Sequence, residues 1–216
     1  MLAVTTICVI VLAFLYGRRR GYVLVPRRGE PRRGEPRTDE RGPDDWVLYD
    51  EHGFAELALP GSWHAFRPKK TDTAPQAKQA GRARYVALIS ECKGDFADDV
   101  TLDGHSEMTR RSLGETVRMV SLRGPTYRFV AGRAAVQYEF DALSNSVRLI
   151  YLHTTVDGDR AFHQIVCRST RSQYDRATFE QLLDGFRESS GPPRPAAPEN
   201  DMPVFISATG SAYNVH

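Results

Sequence analysis

The sequence has 216 residues, a length that fits one domain of ordinary size with appendages. Hydrophobic residues make up 41% and charged residues 26%, which excludes a chain that is disordered throughout. The net charge of +2 is too close to neutral for a chain that binds nucleic acid as a whole, and three cysteines without a CxxC pair exclude a disulfide scaffold and a cysteine-based zinc module.

The chain opens with an uncharged apolar run that ends at three arginines. Residues 2–16 (LAVTTICVIVLAFLY) contain no charge, proline or glycine. A helix of this length nearly spans the hydrocarbon core of a bilayer, and flanking arginine side chains can extend to the headgroups. We therefore predict a single transmembrane anchor over residues 1–17 that contacts the lipid bilayer. Its predicted membrane-interface residues are Tyr16, Arg18, Arg19 and Arg20.

Two alternatives to this anchor are open, a cleaved signal peptide and a buried core helix. A signal peptide would have basic residues before the apolar run and a small-residue cleavage site after it, and neither pattern is present. The bulky Ile7 stands before Cys8, where a lipoprotein signal has a small residue. A core helix gives no reason for the adjacent arginine cluster. These features favour the uncleaved anchor.

Residues 18–45 are basic and rich in proline. Between residues 17 and 43, nine arginines oppose four acids, and residues 26–40 repeat the pattern PRRGE, PRRGE, PRTDE. Proline at every fifth position blocks a helix, and the repeat has no apolar residue to bury, so we predict a disordered linker. Because positive charge beside a span stays on the cytoplasmic side, the linker favours a cytoplasmic location for the domain that follows.

Residues 46–188 carry the patterns of a globular domain that begins with strands. Short apolar runs between the turn residues His52-Gly53 and Pro60-Gly61 predict strands. A helix follows further along, and Asp98, Asp99 and Thr101 stand before it as acidic or capping residues. The elements expected in this half are strands over 46–50, 54–59 and 85–92, a loop or weak helix over 69–82, and a helix over 102–117.

The second half of the domain predicts a meander of strands closed by a helix. Turn residues stand at 132–133, 144–146 and 157–159. The closing helix is predicted from apolar residues at i, i+3, i+4 and i+7, which begin at Phe179 and end at Phe186. The strands expected are 118–122, 127–131, 134–142, 147–156 and 161–169, and the helix is 174–187. This order predicts an α+β domain, in which helices pack on a central antiparallel sheet.

Four stretches of the domain combine a strand ending in a Leu-Pro-x-x-Trp turn, a Gly-Arg turn, a long hairpin and a closing helix. They read YDEHGFAELALPGSW, GRAAVQYEFDA, VRLIYLHTTVDGDRAFHQIVCRS and FEQLLDGFRE. Over about residues 47–188 this pattern resembles the PsbP/DcrB-like family. The resemblance implies an α/β/α sandwich and a binding, assembly or chaperone-like role. Many members are exported lipoproteins, whereas this sequence lacks a usable lipobox.

The six histidines show neither the HxxxH nor the HExxH spacing of a metal site. One arrangement stays open. If Asp157-Gly158-Asp159 forms a hairpin loop, His153 faces His163 across the strands, and Glu139 could complete a site for a divalent metal. A two-residue turn instead pairs His153 with Phe162 and removes that site. We expect ordinary sheet residues here, with no metal and no cofactor.

No residue pattern indicates catalysis. Ser62 lies near His64 but outside a G-x-S-x-G elbow. Cys92 and Cys167 end predicted strands and are expected to be small buried residues rather than reactive thiols. The stretch DFADD at 95–99 lacks the glycine and glutamate of a calcium loop, so its acids are expected beside the start of a helix. We therefore assign no catalytic residue.

The expected function is that of a membrane-anchored, non-catalytic domain that binds a protein or peptide partner and no nucleic acid. Residues 189–216 contain the stretch GPPRPAAPEN and are expected to form a mostly disordered tail. Two alternatives are open: a cytoplasmic chaperone or adaptor for a secreted effector, and a small-ligand receptor or hydrolase-like enzyme with a pocket between sheet and helices.

Overall fold

The computed structural model describes residues 25–26, 46–65, 76–144 and 146–189. The predicted anchor and its four interface residues lie outside these residues. So do the predicted linker, apart from Val25–Pro26, and the predicted tail, apart from Ser189. Among the residues described, no helix combines the length and the apolar character that crossing a membrane requires.

The described chain folds into antiparallel strands and two helices, so the predicted α+β class is confirmed. The first strands are β1 (Val25–Pro26), β2 (Trp46–Tyr49), β3 (Ala55–Leu59), β4 (Trp63–Ala65), β5 (Gln76–Gln79) and β6 (Arg84–Cys92). After helix α1 (Leu102–Thr116) come β7 (Arg118–Val130), β8 (Arg133–Ser144), β9 (Val147–Asp157) and β10 (Ala161–Thr170). Helix α2 (Arg176–Asp184) and β11 (Phe186–Glu188) close the domain.

The strands form two sheets. The larger sheet has seven strands in the order β4-β5-β6-β10-β9-β8-β7, and the smaller has four in the order β1-β2-β3-β11. Helix α1 lies on one face of the larger sheet, which we call the helix face. The opposite, inner face packs against α2 and the smaller sheet. The main core lies between these layers and includes Leu57, Trp63, Leu88, Leu152, Ile165, Phe179, Leu182, Leu183 and Phe186.

Helix α1 begins as the sequence predicts and docks through an unusually polar surface. The Thr101 hydroxyl accepts a hydrogen bond from the backbone N–H of Gly104 at 3.2 Å, which caps the first turn. The buried residues of α1 are His105, Ser106 and Thr109, none of them aliphatic. Because these buried side chains are polar, the hydrophobic effect stabilises the packing of α1 less than it stabilises the packing of the inner-face elements.

The closing helix is shorter than predicted. Helix α2 ends at Asp184, and Phe186 lies in β11, where it pairs with Leu57 of β3. The i, i+7 spacing therefore reflects two elements that share one core, since Phe179 and Phe186 are both fully buried. The polar stretch 69–82, expected to be a loop or weak helix, contributes strand β5, whose Ala77 pairs with Val86 of β6.

The two strands predicted at 118–122 and 127–131 are one continuous strand. Strand β7 runs through Gly124-Pro125 with register shifts against β8 between Met119 and Ser121 and between Arg123 and Thr126. These shifts divide it into an irregular first half and a regular segment, Thr126–Val130, that pairs residue by residue with β8.

Candidate functional site

The histidine pair considered for a metal site does not form. In the observed register His153 pairs with Val166, and His163 pairs with Val156. Because successive side chains alternate between faces, this register puts His153 on the helix face and His163 on the inner face. Both hairpin registers considered from the sequence are therefore wrong, since the loop between paired residues begins after Asp157 and ends before Phe162.

Glu139, the carboxylate considered for that metal site, has other partners on the inner face. It accepts hydrogen bonds from the Tyr174 hydroxyl at 2.6 Å, from Arg176 at 3.2 Å and from Arg123 at 2.9 Å. Burial and the bond to Glu139 raise the pKa of Tyr174. Through these hydrogen bonds, Glu139 links the start of α2 to strands β7 and β8. Within the described residues, no group of three or more His, Cys, Asp or Glu is arranged to hold a metal ion.

A first buried polar cluster lies between α1 and the helix face. His105 Nε2 lies 3.0 Å from Glu91 Oε2, and Gln164 donates its side-chain N–H to the same carboxylate. The Gln164 carbonyl oxygen lies 3.2 Å from His153 Nε2. Phe162 stacks on the His105 ring at 4.3 Å between centroids. The side chains thus form a chain of contacts from α1 across β6 and β10 to β9.

Several polar atoms of this cluster have no hydrogen-bond partner among the described residues. They are His105 Nδ1, Ser106 Oγ, His153 Nδ1 and Thr155 Oγ1. All four residues are at most 1% exposed. Burial is the main cause that lowers the pKa of His153 from 6.5 to about 4, so this ring is neutral near pH 7. The buried polar side chains between α1 and the helix face, which we call the layer under α1, thus include four polar atoms without a described hydrogen-bond partner.

A second cluster on the inner face has the composition of a hydrolase triad. The Ser90 hydroxyl lies 2.7 Å from His163 Nδ1, and His163 Nε2 lies 3.5 Å from Glu188 Oε1. Burial is also the main cause that lowers the pKa of His163. However, Ser90 and His163 are both buried, His163 completely, and they face the smaller sheet. The Ser90 hydroxyl and the His163 ring are thus enclosed between the two sheets.

Glu188 serves as an anchor for the β9–β10 loop. Its carboxylate accepts hydrogen bonds from the backbone N–H groups of Asp159 at 2.9 Å and Arg160 at 3.4 Å. It also pairs with Arg133 at 2.5 Å, while Arg133 binds the exposed Asp159 side chain at 2.7 Å. These bonds join β11 to the β9–β10 loop and to the first residue of β8.

The other residues that the sequence analysis considered for catalysis or metal binding lie outside these two clusters. Ser62 and His64 are exposed near β4, where Ser62 accepts a hydrogen bond from Gln79 at 3.4 Å. Cys167 is buried as expected, and its burial raises the pKa of the thiol, whereas Cys92 is partly exposed. The acidic stretch 95–99 precedes α1, as expected.

The most exposed apolar surface of the described chain lies on β7, a strand at the edge of the larger sheet. Its side chains Val120, Leu122, Tyr127 and Phe129 are 51%, 42%, 65% and 76% exposed. Register with β8 puts Leu122, Tyr127 and Phe129 on the helix face. No described strand pairs with the outer edge of β7. We refer to the regular segment Thr126–Val130 of this strand as the β7 edge.

The β7 edge carries charge on its inner face and aromatic rings on its helix face. Arg128 lies 3.3 Å from Glu180 of α2. On the other face, the nearby charge of Asp103 in α1 is the main cause that raises the pKa of Tyr127. The sequence predicts strands here, but it contains no signal for their position at an edge, because that depends on strand order.

No protein-family model matches this sequence, and no curated protein matches it. Similar solved structures include LpqN, described as involved in cell envelope biogenesis of Mycobacterium tuberculosis, with a TM-score of 0.46, 12% identity and coverage of 60% of this chain and 79% of that chain. PA94 from Pseudomonas aeruginosa, of unknown function, has a TM-score of 0.40, 12% identity and coverage of 65% and 92%. A Bacteroides thetaiotaomicron protein has a TM-score of 0.40, 4% identity and coverage of 64% and 46%. Scores this low carry no conclusion about function.

Proposed function

We propose that this chain is a membrane-anchored, non-catalytic domain that binds a protein partner through the β7 edge. The observation that carries this proposal is the exposure of Tyr127 and Phe129, at 65% and 76%, on a strand whose outer side no described strand covers. Large aromatic side chains bury much apolar area on contact and are enriched in protein interfaces.

The backbone of the β7 edge supplies the second part of the binding surface. An edge strand presents a row of N–H and C=O groups that an extended segment of another protein can pair with. The register shift before Thr126 and the turn at Ala131 and Gly132, which both have positive φ, bound the regular segment. The surface therefore suits a short strand.

The domain is proposed to be PsbP/DcrB-like, in keeping with the sequence resemblance. What supports this assignment is the placement of α1 and α2 on opposite faces of an antiparallel sheet. We propose no catalytic role for the Ser90 and His163 pair, although it has a hydrolase-like composition, and the burial of both side chains toward the core supports this proposal.

We further propose that residues 1–17 anchor the chain and that the arginine-rich linker keeps the domain in the cytoplasm. The basis is the position of the arginines directly after the apolar run. A cysteine introduced as Ser190→Cys tests this orientation in intact cells. Protection from a membrane-impermeant maleimide until permeabilisation is expected, and labelling without permeabilisation would place the domain outside.

Affinity capture with the full chain tests the binding function. A tagged wild-type chain is compared with Phe129→Glu and with Val147→Glu, a control at another exposed apolar position on β9. We expect a protein, which can be a second copy of the chain, to be retained by wild type and control and lost with Phe129→Glu. Retention of the same proteins by all three chains would contradict the function.

A second candidate function, a receptor for a small polar molecule, is favoured by the layer under α1. Buried polar groups without partners cost about 1–3 kcal/mol each, and a bound polar molecule would remove that cost. Native mass spectrometry of the full chain tests it against Thr155→Val. A small molecule retained by the wild type and lost from the variant supports this function, whereas a wild-type chain without any bound mass contradicts it.

A further inference from the structure

We propose that the partner of the β7 edge is a second copy of this chain, paired antiparallel about a two-fold axis at Arg128. This inference rests on the proposed function and names its partner. The surface concerned is the regular segment Thr126–Val130, which pairs with β8 on one side only among the described strands.

Symmetry restricts the possible registers. In an antiparallel pair related by a two-fold axis perpendicular to the sheet, each face meets the same face of the second copy. Side chains opposite each other must therefore have the same parity in the sequence. A two-fold axis at Arg128 satisfies this condition and centres the pairing on the regular segment.

The helix face of this pairing is favourable. Tyr127 of each copy lies opposite Phe129 of the other, so two aromatic cross-strand pairs form. Each ring is mostly exposed in the single chain, at 65% and 76%, and is covered in the dimer. Directly opposite aromatic pairs are among the most favourable cross-strand pairs in antiparallel sheets.

The inner face of the same pairing brings charged side chains together. Two Arg128 side chains would lie opposite each other, an arrangement that is unfavourable for isolated like charges. Here each Arg128 is 3.3 Å from Glu180 of its own chain, a carboxylate that also pairs with Arg176 at 2.9 Å, so the two Arg128 charges are neutralised only in part. The self-complementarity of the alternation Tyr-Arg-Phe therefore lies on the helix face, where each Tyr127 meets a Phe129 of the other copy. A homodimer requires this property, and a binding site for an unrelated strand does not.

The neighbouring registers lack this match. A shift that places the axis at Tyr127 leaves Phe129 opposite Pro125, which has no N–H to donate. A shift to Phe129 removes the two aromatic pairs in favour of one Phe–Phe contact and puts Tyr127 opposite Ala131, which lies in the turn. Because the segment is short, we expect a weak, reversible dimer that the proposed anchor would favour by confining copies to one membrane.

Single-cysteine crosslinking of the full chain tests the dimer and its register. In a Cys8→Ser, Cys92→Ser background, Arg128→Cys places two sulfur atoms at the axis, so mild oxidation is expected to give a disulfide-linked dimer. The matched control Thr126→Cys lies on the same face, but its two sulfurs would be about 14 Å apart in this register. It is expected to stay monomeric under the same conditions.

A second variant distinguishes loss of the edge contact from loss of the fold. Phe129→Glu added to the Arg128→Cys chain is expected to abolish the crosslinked dimer while leaving the melting temperature close to that of the parent, because Phe129 is exposed. A dimer that forms equally with Phe129→Glu, or that crosslinks through Thr126→Cys instead, would overturn the proposal.

The failure of this proposal is distinguishable from failure of the proposed function. If Arg128→Cys gives no dimer but another protein is captured by the wild type and lost with Phe129→Glu, the second copy is excluded and the β7 edge remains the binding surface. If neither a dimer nor a captured protein depends on Phe129, both proposals are wrong.

Discussion

His153 and His163 lie in adjacent strands of one hairpin but on opposite faces of the larger sheet. His153 faces α1 and lies 3.2 Å from the Gln164 side chain, while His163 faces the smaller sheet and lies 2.7 Å from Ser90. Both rings are completely buried. Burial lowers the pKa of each ring, so each face of the sheet contains one histidine whose protonation is disfavoured in the folded chain.

The first prediction is that acidification destabilises the fold. His153 binds its proton with a pKa of 6.5 in the unfolded chain and of about 4 in the folded chain. Between these values the unfolded state binds more protons, so stability rises with pH and is lost as pH falls from 6.5 to 4. This histidine alone accounts for a loss of about 3 kcal/mol in the free energy of unfolding.

Denaturant unfolding of the full chain at a series of pH values measures this loss. His153→Gln keeps a hydrogen-bonding side chain without the titration, and we expect a shallower fall in stability below pH 6.5 than in the wild type. Parallel curves for the two chains would show that His153 does not contribute to the pH dependence.

The second prediction concerns Glu188 as the anchor of the β9–β10 loop. Glu188→Gln removes the charge that Arg133 pairs with and weakens bonds to two backbone N–H groups. Because the carboxylate is 8% exposed, we expect a loss of about 2 kcal/mol in unfolding free energy. Asp159→Asn is the control, since its exposed side chain binds the same arginine. An equal loss in both variants would refute the anchor role of Glu188.

The third prediction is that Gly185 cannot carry a side chain. A Cβ atom at this position would collide with the carbonyl oxygen of Ala58, whose N–H also donates to the Gly185 carbonyl oxygen at 2.9 Å. Gly185→Ala should therefore destabilise the fold by about 2 kcal/mol, measured by thermal or denaturant unfolding. Gly94→Ala, whose Cβ meets only Cys92 Sγ at 3.7 Å, is the control and should be close to neutral.

Local patterns in the sequence predict much of this fold. The capping residue Thr101 and the apolar runs of β6 and β8–β10 each depend on neighbouring residues, and the structure agrees with them. The turn before β8 is Ala131-Gly132, one residue earlier than predicted. The end of α2 was not predictable in this way. Phe186 has helical spacing from Phe179, and its strand position follows only from pairing with Leu57, which is far away in the sequence.

The candidate site depends even more on contacts that are distant in the sequence. A register change of a few residues in the hairpin moves His163 to the other face, so the histidine pair could not be decided from spacing. Likewise, the apolar residues of β7 have the composition of a buried strand. Their exposure arises because β7 is last in a seven-stranded order that the sequence does not specify.

The fourth prediction is that Cys167 is unreactive in the folded chain. Its side chain is buried in the main core, and burial raises the thiol pKa, so the reactive thiolate is scarce. In a Cys8→Ser chain treated with a thiol reagent, we expect the partly exposed Cys92 to be modified first and Cys167 only after denaturant is added. Modification of Cys167 at the rate of Cys92 in native buffer would contradict this burial.

Site-specific photocrosslinking in cells tests the binding role of the β7 edge most directly. A photoreactive amino acid is introduced in place of Phe129 in the full chain, and in place of Val147 as the control at another exposed apolar position. We expect a defined protein adduct from position 129, containing either a second copy of the chain or another protein, and no adduct of that mass from position 147. Irradiation that yields no adduct at position 129, or the same adducts at both positions, would contradict it.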